Sequence, residues 1–173
     1  LTNIASLILC YPELLDKINC ISLMGGAFKH GNRTVAAEFN FLMDPEAAKI
    51  VFDSGISLIM TGLDITDQAT ITDEELNQIR AIDDEHSEML YQILDLYASH
   101  DKCLHDPLAI MAITDPDMIE FEDLHVDIET AGFLSAGASI ADFRHKSNES
   151  NVKVAMKLDH DLFISSLLHI LAL

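Results

Sequence analysis

Basic residues are scarce in this 173-residue chain: ten lysines and arginines stand against twenty-nine acids, a formal charge of −19. A surface of that sign repels nucleic-acid phosphates and anionic membranes, which excludes both as partners and leaves small neutral substrates open. Cysteines are few, and Cys10, Cys20 and Cys103 are odd in number with no CxxC spacing. A disulfide framework is therefore not expected, and the chain reads as a reduced, cytoplasmic protein. Two of the three lie in apolar surroundings, where a cysteine is usually inert. No apolar run approaches the roughly 20 residues of a membrane span. Ile4 to Cys10 is apolar but short, and no basic stretch precedes it, which argues against a signal peptide. There is no GxSxG elbow to suggest a serine hydrolase, and no internal repeat, low-complexity tract or interdomain linker.

What is present is apolar residue, 49% of the chain, with mean hydropathy of +0.21. The length suits one domain with a real core. So much apolar side chain fits strands buried on both faces, or a segment that packs against a further piece of chain.

The order of patterns predicts α/β. Thr2 or Asn3 caps a first helix to about Tyr11, with a turn at Pro12-Glu13. Ile18 to Leu23 is a compact apolar run stopped by Gly25-Gly26, a buried strand ending in a loop. Asp44-Pro45-Glu46 starts a helix that Gly55 closes. Ile56 to Gly62 is a second strand, leading into Asp64 and Thr66. Thr72 to Ser99 reads as one helix, with Asp73 to Glu75 favourable at its positive end. Asp106-Pro107 opens another, through Ile113. His125 to Glu129 and Val152 to Leu158 alternate like strands around a turn-rich stretch that holds Gly132, Gly137 and Ser147 to Ser150. Asp159 to Ala172 closes the chain as an amphipathic helix. The acidic runs Asp73-Glu74-Glu75 and Asp83-Asp84-Glu85 read as solvated surface.

Alternating strands and helices give a largely parallel, open sheet with flanking helices in a single domain spanning 1–173. Ligands in such sheets bind beyond the carboxyl ends of the strands. There the sequence sets Asn32, Glu38 and Asn40, two amides and a carboxylate suited to sugar hydroxyls. In extended chain Glu38 and Asn40 share a face. Taken singly, Asn32 is equally a turn residue after Gly31 and Glu38 a helix-side acid; the ordered set favours a sugar site. Downstream, Leu104-His105-Asp106-Pro107 puts a proton donor beside a hard oxygen ligand. A lone histidine at a helix start is otherwise a cap or surface residue.

The string MGGxxxxGNxTxxAEFNxxxDPEAAxxVF, Met24 to Phe52, resembles the nucleoside hydrolase family, enzymes that hydrolyse the N-glycosidic bond of ribonucleosides. LTNIA (Leu1 to Ala5), GLDITDQA (Gly62 to Ala69), LHDPLA (Leu104 to Ala109), VDIETAG (Val126 to Gly132) and VKVAMKLD (Val152 to Asp159) extend the resemblance over nearly the whole chain. It implies one calcium ion that binds the ribose 2′- and 3′-hydroxyls and the attacking water, with Thr2 giving a backbone carbonyl and Asp106 a carboxylate. It implies that Asn32 and Glu38 hold the 5′ end of the sugar, that Asn40 reaches the 2′/3′ side, and that Met24 and Phe39 line the pocket. His105 becomes the acid for the departing base. Tyr97 matches a nucleobase contact and resembles pyrimidine-preferring members, although an aromatic in a helix stripe explains it nearly as well. The resemblance further implies a homo-oligomer, a dimer or tetramer.

Two departures stand out. Asp67 takes a place where the family commonly has histidine. The family's N-terminal DxDxxxDD motif, source of most calcium carboxylates and of the water-activating aspartate, has no match; Asp115-Pro-Asp117 and Asp159-His-Asp161 are poor imitations. The chain is therefore expected to correspond to the family's C-terminal half and to be inactive alone. The competing expectation is a non-catalytic, oligomeric fragment or ligand-binding module.

Overall fold

The computed structural model describes residues 1–82, 85–144 and 150–172, with Glu85 described by its backbone only. Its centre is a four-stranded sheet in the order β1 (Ile21–Met24), β2 (Leu58–Thr61), β6 (Val152–Leu158), β3 (Ile119–Leu124). β1, β2 and β6 run parallel, whereas β3 pairs antiparallel to β6. A separate hairpin joins β4 (Val126–Ile128) to β5 (Ser139–Ala141). The expected α/β architecture, a mostly parallel sheet flanked by helices, is what forms.

Helices cover both faces of the sheet. On one lie α1 (Thr2–Cys10) and α3 (Pro45–Phe52), with α2 (Phe39–Met43) and the hairpin beside them. On the other lie α4 (Leu63–Thr66), α5 (Asp73–Arg80), α6 (Glu85–Ala98), α7 (His105–Thr114) and α8 (His160–Leu171). Adjacent residues of β6 serve opposite cores: Val154 packs with Phe41, Val51 and Met60, while Ala155 packs with Leu108 and Phe163. That two-sided burial is where the apolar excess goes.

Five local readings need amendment. Glu38 and Asn40, read as extended chain, instead cap and enter the helix α2, because the Glu38 carboxylate accepts from the Asn40 and Phe41 N–H groups. The strand foreseen from Ile18 begins at Ile21, because its parallel partner β2 starts opposite, at Leu58; Pro12–Lys17 forms a 3-10 turn before it. The single helix foreseen over Thr72–Ser99 is two, α5 ending at Arg80 and folding against α6. Helix-forming residues on both sides hide that break, and Arg80 spans it, 2.9 Å from Glu88 and 4.8 Å above the Tyr91 ring. β3 was not anticipated. Its acids Glu120, Glu122 and Asp123 and a register shift at Glu120/Phe121 blur the alternation, and charge suits its place at the sheet edge. The segment 125–129 supplies β4, outside the main sheet. The turn expected at Ser147–Ser150 and the acid pair Asp83-Asp84 fall largely outside the described residues.

Gly26 marks where β1 turns into the loop that follows. Its φ is +75°, and a Cβ there would lie 2.5 Å from Met60 Cε and 2.7 Å from Phe41 Cε2. Gly55 has a similar φ of +77° but open space around it. Gly26→Ala should therefore cost about 3 kcal/mol, strain plus overpacking, whereas Gly55→Ala should cost about 1 kcal/mol of strain alone. Chemical denaturation of both variants checks this, and equal losses would contradict it.

Candidate active site

Strand β1 ends at Met24 and β2 at Thr61, and the loops beyond them meet the N-terminus of α7. The loop after β1 makes few turns of regular structure, so its backbone donors must go elsewhere. Four in succession end on side-chain oxygens. Gly26 N–H donates to Glu38 Oε2 at 2.9 Å and Ala27 N–H to Ser139 Oγ at 2.9 Å. Phe28 and Lys29 N–H donate to the two oxygens of Asp64 at 2.7 and 3.1 Å. Ser139 also donates back to the Ala27 carbonyl at 2.8 Å. Glu38, Asp64 and Ser139 are all buried, and among the described residues no buried side-chain nitrogen or oxygen lacks a partner.

Glu38 does a second job. It caps α2, accepting from Asn40 N–H at 2.7 Å through Oε1 and from Phe41 N–H at 3.2 Å through Oε2. Three backbone donors thus occupy a carboxylate that is 2% exposed. Around it the flanking amides are also half-used. Asn32 Oδ1 accepts from Phe39 N–H at 2.9 Å, which leaves its NH₂ to a ligand. Asn40 donates its NH₂ to the Met24 carbonyl and Sδ, both at 3.3 Å, which leaves its oxygen. The two amides therefore offer a donor and an acceptor, a complementary pair for hydroxyl groups.

Opposite them stands His105, at the first turn of α7. Its Nδ1 lies 2.8 Å from Thr66 Oγ1 and its Nε2 3.1 Å from Asp101 Oδ2. Thr66 is fully buried behind the ring. Burial works to raise the Asp101 carboxyl, but the Cys103 N–H and the His105 imidazole outweigh it and hold the group below its ordinary range. Cys103 moves the other way. Burial, then the Asp101 charge, pushes its thiol up to about 11, which makes it a poor nucleophile. Tyr97 on α6 is raised too, by desolvation first and then by Asp101, Cys103 and Asp106.

One cavity of about 510 Å³ collects these groups. Met24, Asn32, Glu38, Phe39, Asn40, Tyr97, His105 and Asp106 all line it. Thr2 does not; its hydroxyl bonds Asp44 and its carbonyl accepts from Ser6 Oγ at 2.9 Å. Asp67 pairs with His30 at 3.0 Å. Sequence reasoning missed Asp101, Cys103, Ile93 and Leu94 in the lining, and Thr66 behind it. The alternation Asp101, Cys103, His105 was the available signal for the first two.

A cavity of about 510 Å³ past the parallel strands of an α/β sheet lies where such folds bind small molecules. The family described as inosine-uridine preferring nucleoside hydrolase matches residues 1–165. The pyrimidine-specific ribonucleoside hydrolase RihA of Shewanella oneidensis is 41% identical, over 99% of this chain and 57% of that protein. The inosine-uridine preferring nucleoside hydrolase of Crithidia fasciculata is 37% identical, over 94% of this chain and 55% of that protein. Among solved structures, the purine-preferring ribonucleoside hydrolase from Gardnerella vaginalis superimposes with a TM-score of 0.88 at 32% identity, covering 99% of this chain and 57% of the other. The chain belongs to the inosine-uridine preferring nucleoside hydrolase family, and it spans a little over half the length of these relatives.

The capping carboxylate gives the site a structural test. Glu38→Ala would strip three backbone donors of their acceptor, two of them buried. A loss of about 3 to 5 kcal/mol is expected. Urea denaturation measures it, and a loss under about 1 kcal/mol would show that water replaces the carboxylate cheaply.

Proposed function

We propose that this chain forms the sugar- and base-binding side of a ribonucleoside N-glycosidase, releasing ribose and free base. The observation that carries the reading is the convergence of Asn32, Glu38 and Asn40 with Tyr97, His105 and Asp106 on one cavity. Asn32 and Asn40 orient the ribose through their complementary donor and acceptor. Glu38, with three of about four lone-pair positions filled, keeps room for one hydroxyl. Tyr97, Ile93 and Leu94 supply an apolar wall for the base. The names of the relatives divide between pyrimidine-specific, inosine-uridine preferring and purine-preferring, and Tyr97 inclines this chain toward pyrimidines.

His105 holds the proton that the departing base needs. Asp101 and Thr66 fix its ring, and Nε2 gives up its contact with Asp101 as its proton passes to the base. Two hydrogen bonds to the ring keep it from turning away, so the acid is oriented before substrate arrives.

Asp106 is exposed in the cavity and, with the Asn40 oxygen, offers hard oxygen donors that suit calcium. Asp106 would hold the ion, and the ion when bound would bind ribose hydroxyls and activate water; Thr2, outside the cavity with its carbonyl bonded to Ser6, is not placed to join it. Glu38, the buried carboxylate of the cavity, is already committed to backbone donors. A full shell therefore needs oxygen ligands from outside these residues, in keeping with the greater length of the relatives. Three unpaired thiols support a reducing, cytoplasmic setting. Val35, Phe133 and Leu134, almost fully exposed, support association of copies into a dimer or tetramer. Among the described residues no helix is long and apolar enough to cross a membrane.

Alone, the 173-residue chain is expected to hydrolyse neither uridine nor inosine at a measurable rate and to bind calcium weakly. Calorimetric titration with calcium and a free-base assay check both, and robust hydrolysis would refute the division of labour. In a full-length protein, His105→Ala should slow natural nucleosides by about 10²- to 10⁴-fold. It should matter far less for p-nitrophenyl riboside, whose leaving group departs without a proton. Equal losses on the two substrates would make His105 a ribose-binding or structural residue.

A further inference from the structure

The strap that enters α7 has a chemistry the glycosidase reading leaves unused. Residues Asp101 to His105 run past the loop before α5, held by Ile71 N–H to the Lys102 carbonyl and Leu104 N–H to the Ala69 carbonyl, both at 2.8 Å. Cys103 makes an isolated antiparallel bridge with Thr70 there. In such an extended strap alternate side chains share a face. Asp101, Cys103 and His105 all line the cavity, and the buried Leu104 adds an apolar contact to the same wall.

We propose that Asp101, Cys103 and His105 form a binding site for a thiophilic divalent cation of the zinc or cadmium class, at the cavity rim and separate from Asp106. One ligand atom from each lies within 4.8 Å of the others. A tetrahedral zinc shell, with bonds of about 2.0 to 2.3 Å, needs ligand edges of roughly 3.3 to 3.8 Å. The His105 Nε2 to Asp101 Oδ2 pair stands at 3.1 Å already, so rotamer adjustment of Cys103 closes the triangle. The Cys103 thiol, raised by burial and by the Asp101 charge, must release its proton to solvent as the ion binds. The remaining contacts suit the task. Asp101 Oδ1 is held by the Cys103 N–H at 2.9 Å, leaving Oδ2 for the ion. Thr66 Oγ1 at 2.8 Å from Nδ1 orients the ring as an outer partner of a metal-bound histidine does. A sulfur, nitrogen and oxygen set favours zinc over calcium or magnesium, which take oxygen alone. The fourth position opens to the cavity and takes water.

The ion would occupy Nε2, the same nitrogen that the proposed function assigns to the departing base. On that reading, and only on it, zinc is an inhibitor.

Cobalt(II) serves as the spectroscopic probe and zinc, competed against a chromophoric chelator, as the affinity probe, both on the full chain. One equivalent of cobalt should give a sulfur-to-cobalt charge-transfer band together with tetrahedral ligand-field bands. Cys103→Ala should abolish the charge-transfer band and weaken zinc by at least about 100-fold, the upper range for lost support of a metal site. Cys103→Ser, closer in shape, should do the same, with circular dichroism confirming the fold of each. Cys10→Ala and Cys20→Ala should leave both readouts unchanged. Excess calcium should not displace the zinc. An absent sulfur band, zinc affinity indifferent to Cys103, or stoichiometric displacement by calcium would each overturn the site. Zinc inhibition of nucleoside hydrolysis in a full-length protein, relieved by Cys103→Ala, would tie the site to His105. Binding without inhibition would leave the metal site standing and count against His105 as the acid.

Discussion

Four consecutive backbone N–H groups, from Gly26 to Lys29, have no strand or helix to pair with, and the cavity exists because three buried side chains take them. Glu38, Ser139 and Asp64 come from far-separated parts of the chain, so the loop beyond β1 is fixed only once the whole domain has closed. An unpaired buried donor costs a few kcal/mol, about the worth of a sizeable share of a domain's net stability. The same constraint explains the glycines. Gly26 N–H reaches Glu38 with φ at +75°, and Phe41 and Met60 pack where a side chain would stand.

The consequence for the ligand groups is that they are placed by their leftovers. Asn32 and Asn40 each spend one end of the amide on backbone or on Met24 and turn the other outward. Their assignment as donor and acceptor follows from that network, since the two ends of an amide are told apart by their partners. Rigid supporting bonds of this kind hold a site in productive geometry without relying on the ligand to build it.

A second hub sits across the cavity, where Asp101 accepts from the Cys103 N–H and pairs with His105, while Thr66 holds the other side of the ring. The strap that carries it is pinned by main-chain bonds to residues 69 and 71. The proposed proton donor and the proposed soft-metal site draw on the same three bonds, so on these two readings they compete for one nitrogen.

Much of this was legible in linear order. Asp44-Pro45 does start a helix, Gly25-Gly26 does end a strand, and the cluster from Asn32 to Asn40 meets His105 and Asp106 in one cavity. These readings succeed because capping, glycine backbone freedom and local spacing act over a few residues. The break between α5 and α6 was not legible, since helix formers run through it and only mutual burial makes folding back favourable. Strand β3 escaped for a similar reason: its acids are tolerated because β6, thirty residues on, supplies Lys157 and the ladder. Glu38 shows the division most sharply. Its type and place marked it as a sugar contact, yet what it does in the fold is accept three main-chain donors, one of them twelve residues away. The sequence by itself determined which polar groups this protein has and which secondary elements carry them. Only the tertiary structure decided which of their lone pairs are already spent, because that depends on distant backbone brought within 3 Å by packing rather than by chain order.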